Sequence, residues 1–331
     1  MHIDFFTVLI AVVSLIIIAV PGFIIVKTKL VDGSVSSALS TLVLYVCAPA
    51  QIFMGFQNAN YRSEIGINML IVAGLTLIVH IIMIAIMYLA IRTKKDQDQK
   101  LVAKKRVARL AGVFGNAGYM GLPFLQILFP GNGEVIIYGS VLMSVFNILS
   151  WTAGVYMLTG DKKDISPKKV FLHPVIIAVA LGFITFVIAK RPIANLCAEG
   201  TTGELVLSSL MKSVNFIGDM VTPLAMFVIG MRLANVNLKQ LFLDKWAYLA
   251  TFFKLVIMSV VTILLTAFLP ISDIVKYAMF FLLSMPSAAS CALLSVRFGG
   301  DGDFASVSVL LSTILSILTI PLMFLLFSVM I

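Results

Sequence analysis

The chain has 331 residues, 60% of them hydrophobic and 12% charged, and a mean hydropathy of +1.08. This composition excludes an ordinary soluble globular domain and makes lipid the solvent. A formal charge of +9 would suit nucleic acid, but the basic residues fall in gaps between apolar runs, with no aromatics interleaved on a polar face, so a nucleic-acid partner is excluded.

Apolar runs of about 20 residues, the length a helix needs to cross a bilayer, recur from end to end. In chain order they predict ten spans: 5–26, 36–56, 68–91, 107–128, 135–158, 171–189, 206–231, 246–269, 274–296 and 304–330. The first lacks the basic n-region and small-residue cleavage site of a signal peptide, so it is read as a retained span. Alternate loops then differ sharply in charge. One side carries eighteen Lys and Arg, among them Lys27, Arg92, Lys94, Lys95, Arg109, Lys168, Lys169, Arg232, Lys239 and Arg297. The other carries four: Arg62, Lys190, Arg191 and Lys276. The basic side is normally cytoplasmic, which predicts a multi-pass cell-membrane protein with both termini extracytoplasmic. A missed helix would exchange the sides of every later loop and spoil the count.

Ten spans divide into 1–160 and 161–331, and an odd number of spans per half makes the second half enter the membrane inverted. Proline marks matching spans: Pro49 in the second and Pro223 in the seventh, Pro123 in the fourth and Pro286 in the ninth. The intervals, 74 and 63 residues, differ by 11, which a charged insertion at 92–106 accounts for. Proline removes a backbone donor, and the carbonyl left unpaired is tolerated in mid-membrane only where protein or a water-filled cavity shields it. Breaks placed alike in both halves therefore point to a transport site; simple packing kinks are the plainer alternative. In the fourth span Gly112, Gly115, Gly118 and Gly121 recur every third residue and allow close helix approach. Helical spacing puts Asn116, Met120 and Pro123 roughly on one face. In the ninth, Ser287 and Ser290 follow Pro286 and offer hydroxyls and amides at the start of a half-helix, an electropositive position suited to a carboxylate.

With Asn116-Ala117-Gly118-Tyr119-Met120-Gly121-Leu122-Pro123 and Pro286 in these positions, the chain resembles the auxin efflux carrier family, which includes the plant auxin exporters and bacterial carriers of acids such as malate and malonate. The resemblance covers nearly the full chain in span number and order. It implies an all-α membrane fold of two inverted five-helix repeats, similar to bile-acid symporters and sodium/proton antiporters, with the fourth and ninth helices broken and crossing at Pro123 and Pro286. It further implies a scaffold from spans 1, 2, 6 and 7, a transport domain from spans 3–5 and 8–10 that moves in elevator fashion, and a homodimer. Asn116 would help bind the substrate carboxylate. The long loop of the plant exporters between the fifth and sixth spans is missing, which argues against auxin as substrate.

Ionisable groups inside apolar spans cost roughly 2.5–3.5 kcal/mol on insertion scales and ask for a partner or a role. Asp219 is the acidic residue placed there, a coupling candidate or a scaffold residue bonded to a neighbouring helix. Lys254 is a counter-charge for Asp219 or for an anion, or else snorkels to the cytoplasmic interface, the simpler expectation. His80 relays protons or is simply packed. Tyr45 and Gln51 flank Pro49 and line a cavity or bond between helices. Cys47, Cys197 and Cys291 are an odd number without metal-ligand spacing, so neither disulfides nor a metal is expected, and no cofactor is implied. A lone membrane aspartate forms no aspartic dyad, and the zinc-protease and serine-hydrolase motifs are absent. An enzyme is not expected. A carrier of small organic anions is, with a sodium- or proton-coupled carrier of the same fold and a non-transporting receptor as alternatives.

Overall fold

The computed structural model describes residues 3–93, 97–165, 172–198, 200–234 and 244–331. Lys94, Lys95, Lys168, Lys169 and Lys239, used above to orient the chain, lie outside these residues, as does position 171 at the start of the sixth expected span. The described residues are all-helical, with no strand beyond one isolated antiparallel bridge.

In chain order the helices are α1 (Phe5–Lys27), α2 (Val35–Gln57), α3 (Ser63–Ala90), α4 (Gln99–Val113), α5 (Ala117–Leu128) and α6 (Gly133–Thr159). They continue as α7 (Pro174–Ala189), α8 (Thr202–Ala234), α9 (Lys245–Thr266), α10 (Asp273–Leu283), α11 (Ser290–Arg297) and α12 (Gly302–Met330). Eight are long and apolar enough to cross a bilayer: α1, α2, α3, α6, α7 with the short turn Ile193–Asn195 after it, α8, α9 and α12. The remaining four form two interrupted pairs, α4 with α5 and α10 with α11.

Polar side chains set many of the helix starts. Asp4, Asn132, Thr201, Asp244 and Asp301 each accept a hydrogen bond from a backbone N–H in the first turn that follows, satisfying a donor the helix itself leaves unpaired. Basic residues close other ends. Arg109 Nε donates to Ile91 O at 2.7 Å just beyond α3, and Arg106 Nη1 donates to Leu158 O and Thr159 O at 3.0 and 3.1 Å at the end of α6. Cations there meet the negative end of the helix dipole. The stretch at 92–106, expected as a charged loop insertion, is therefore helical from Gln99 onward and does structural work.

Three prolines act differently from the expectation of simple breaks. Pro49 and Pro123 each follow a widened π-helical turn, Val43–Cys47 in α2 and Ala117–Gly121 in α5; the N–H each lacks would have bonded within that turn, which loosens instead of breaking. Pro223 follows an interruption at Met220, between the two parts of α8, Thr202–Asp219 and Val221–Ala234.

With lipid outside, helix association rests on close van der Waals packing. The second part of α8 lies along α1 so tightly that a Cβ at Gly230 would stand 1.9 Å from Ala19 O, inside any permissible contact. Between α10 and α12, Phe280, Phe281, Phe324 and Phe327 stack and tilt against one another with ring centroids 4.3–6.1 Å apart, filling the space beside the second interrupted pair.

Candidate anion site at the helix crossing

Two non-helical segments meet in the interior. The first, 114–116, separates α4 from α5; the second, 284–289, separates α10 from α11. They pair antiparallel at Gly115 and Ser287. Asn116 N–H donates to Pro286 O at 2.6 Å and Ala288 N–H to Phe114 O at 2.8 Å. Each interruption thus satisfies the backbone of the other, which meets the requirement that irregular backbone at membrane depth be shielded. Ser287 fastens the joint further: its Oγ donates to Ala111 O at 2.8 Å and its N–H donates to Ser312 Oγ at 3.0 Å.

The first interruption therefore lies at 114–116 and not at Pro123, which sits seven residues beyond Asn116 inside α5. Pro286 does lie within its interruption. The expected common face of Asn116, Met120 and Pro123 is lost for the same reason: Asn116 precedes the helix. Its carbonyl accepts from Met120 N–H and Gly121 N–H at 3.2 and 3.0 Å, so it serves as the first acceptor of α5.

A cavity of about 610 Å³ opens against the crossing. Gly115, Asn116, Tyr119 and Ser290 line it at the crossing, and Tyr45, Arg232 and Arg297 line it as well. It lies among the beginnings of α2 and α7 and the ends of α8 and α11, since Ser37, His173, Arg232 and Arg297 all line it. Arg232 Nη2 donates to Ser40 Oγ at 3.0 Å, and Tyr119 OH donates to Ser40 O at 3.1 Å, which holds both side chains at the wall. No Asp or Glu is among the described residues that line the cavity. Two guanidinium groups, the carboxamides of Asn116 and Asn147 and the amide end of α11 make it a place for negative charge.

Of the residues singled out from sequence, Asn116, Ser290 and Tyr45 line this cavity. Met120, Pro123, Pro286 and Ser287 are placed behind it, in the joint or in α5. Gln51 and Asp219 line a separate, smaller cavity of about 220 Å³, with Asn58, Gln126 and Asn132. Asp219 is exposed and accepts from Asn215 Nδ2 at 2.9 Å. It neither meets the crossing nor pairs with Lys254. His80 is buried beside the crossing, its ring 5.7 Å from that of Phe114 and its Nδ1 2.8 Å from Thr76 O.

Lys254 overturns the expectation of snorkelling. It is 0% exposed, and its Nζ donates to Leu283 O, the last residue of α10, at 2.6 Å. It lies in a π-helical turn, Phe253–Ile257, whose extra residue aims the side chain inward. Gly115 makes the room, because a Cβ there would stand 2.7 Å from Lys254 Cε and 3.3 Å from Met285 O.

In the sequence Arg232 and Arg297 stand out only as loop charges. A signal was available: Arg297 follows Ser290 by seven residues, two helical turns, and so shares its face.

The chain is 23% identical over 286 residues, 86% of its length and 87% of the relative's, to an uncharacterised transporter of Methanocaldococcus jannaschii. It is 26% identical over 300 residues, 88% of each chain, to a Rhizobium meliloti protein named "Putative malonate transporter". A family profile described as "Membrane transport protein" matches residues 7–169 and again 163–324. With nearly the whole length matched in these two stretches, the chain belongs to the membrane transport protein family, the auxin efflux carriers that the motif around Asn116 resembles, and is a transporter and not an enzyme.

Proposed function

We propose that the chain is a secondary carrier of small organic anions, carboxylates of the size of malonate or malate, bound where the two interrupted helices cross. The observation that carries this is the cavity at the crossing, which Asn116, Ser290, Arg232 and Arg297 line and which no Asp or Glu lines among the described residues. The carboxylate lies at the start of α11, accepting from its amides and from Asn116, while the two arginines draw the anion in.

The ten-span arrangement follows if each interrupted pair is one crossing added to the eight long helices. The two halves, 1–160 and 161–331, are then inverted repeats with both termini extracytoplasmic, and the large cavity opens to the cytoplasm. Spans 1, 2, 6 and 7 serve as scaffold of a homodimer, and spans 3–5 and 8–10 carry the site across by elevator-type alternating access. In that cycle the smaller cavity beside Gln51 marks the closed outer side.

A thermal-shift screen against mono- and dicarboxylates, followed by counterflow of labelled hits in proteoliposomes, tests the reading. Stabilisation and counterflow by at least one short carboxylate are expected. Folded protein that neither binds nor moves any member of the panel would overturn it. Asn116→Ala should weaken binding by about tenfold, the loss of a charge-assisted hydrogen bond of roughly 1.5 kcal/mol.

A further inference from the structure

The carboxylate site just described makes no direct use of Lys254, yet this side chain is fully buried at the crossing with a backbone carbonyl as its hydrogen-bond acceptor. Among the described residues no carboxylate pairs with it; the ion pairs there are Arg62–Glu134 and Lys104–Asp244. A buried ammonium without an anionic partner is costly. The amine is also one residue behind the cavity. Gly115 lines the cavity, and a Cβ on its backbone would stand 2.9 Å from Lys254 Nζ.

Two other titratable side chains face the same place, His80 from α3 and Cys291 from α11, and both are buried. From the segment between α4 and α5 the neighbour is Gly115 and from α10 Leu283, neither of them ionisable. His80 Nε2 is buried without a hydrogen-bond partner, its Nδ1 being held by Thr76 O. His80 and Lys254 stand 174 residues apart, the same interval that separates Pro49 from Pro223, so the two groups approach the crossing from corresponding places in the two halves.

An anion arriving at Asn116 and Ser290 lies across that thin wall from the amine, in surroundings of low dielectric where Coulomb attraction is strong. The anion favours the ammonium over the neutral amine, and by thermodynamic reciprocity a protonated Lys254 favours the anion. We propose that Lys254 is the proton-binding group of the carrier: its neutral amine takes up a hydronium proton, replenished by the buffer of the bathing solution, as the organic anion binds, and proton and anion cross together. No other bond is made or broken, and the proton returns to water when the anion leaves. This inference rests on the carboxylate reading above.

Calorimetric titration of the purified full-length protein with malonate, in two buffers of different ionisation enthalpy, counts protons taken up on binding. We expect uptake approaching about one proton per malonate. Lys254→Arg, which keeps a fixed charge, should bind with no uptake, and His80→Gln should retain it. Lys254→Met should either bind at least tenfold more weakly without uptake or fail to fold, and the arginine variant decides the matter if it fails. Measurable wild-type affinity with no proton uptake, uptake persisting in Lys254→Arg, or uptake abolished by His80→Gln would each overturn the assignment. Failure of malonate and the rest of the carboxylate panel to bind would instead overturn the anion site, and this inference with it.

Discussion

Arg232 and Arg297 separate two uses of positive charge in one chain. Most basic residues lie at helix ends or in loops, where several cap carbonyls; these two line a cavity that no acidic group lines among the described residues. Arg232 is fastened to Ser40, and Arg297 lies 5.8 Å from the ring centre of Trp151, so neither gives up all its donors to its protein partners, a guanidinium having five. Replacing both with glutamine should weaken binding of a short dicarboxylate by about tenfold or more, roughly 1.4 kcal/mol, and flatten its dependence on ionic strength, since part of their effect is attraction at a distance. Lys27→Gln, on the same charged side but off the cavity, should change little. Titration at two salt concentrations checks this. Equal affinity in the double variant and the parent would remove the arginines from the site.

At the scale of elements, the contact between α1 and α8 depends on Gly230. Its hypothetical Cβ falls on Ala19 O, a backbone atom that cannot move aside without displacing α1. Gly230→Leu should destabilise the folded protein by at least the 1–3 kcal/mol typical of overpacking. A lower melting temperature and aggregation on size exclusion are the expected signs. By contrast, Gly66→Leu on the open surface of α3, where nothing lies within 4 Å, should be tolerated. The long helices were legible in the sequence because twenty apolar residues in lipid leave few alternatives to a helix. Where the interruptions fall was legible only in part. Pro286 marks one of them, but the other carries Phe114, Gly115 and Asn116, and its pairing with Pro286 and Ala288 comes from a segment some 170 residues away. Proline reports a missing donor; it does not report where a distant strand-like segment supplies one. Lys254 departs from its sequence-based expectation for a related reason. Length and flexibility predict an outward reach, whereas the inward course goes with a π-helical turn and with the absence of a side chain at Gly115.

For the whole molecule, the proposed sidedness makes a prediction along α2. Ser37 lies near its start and lines the large cavity, while Asn58 follows its last residue and lines the small one; both are exposed. At 1.5 Å per residue the helix between them spans about 30 Å, the thickness of a bilayer core, so the two positions belong on opposite faces. In the proposed orientation the excess of basic residues on the Ser37 side puts that face in the cytoplasm. With Cys47, Cys197 and Cys291 replaced by alanine, a membrane-impermeant maleimide applied to intact cells should label Asn58→Cys and spare Ser37→Cys until the membrane is permeabilised. In inverted vesicles the pattern should reverse, and malonate should slow labelling of Ser37→Cys, because an occupied cavity closes the approach to its wall. Labelling of Ser37→Cys from outside intact cells would invert the orientation, and with it the face on which the arginine-lined cavity collects its anion.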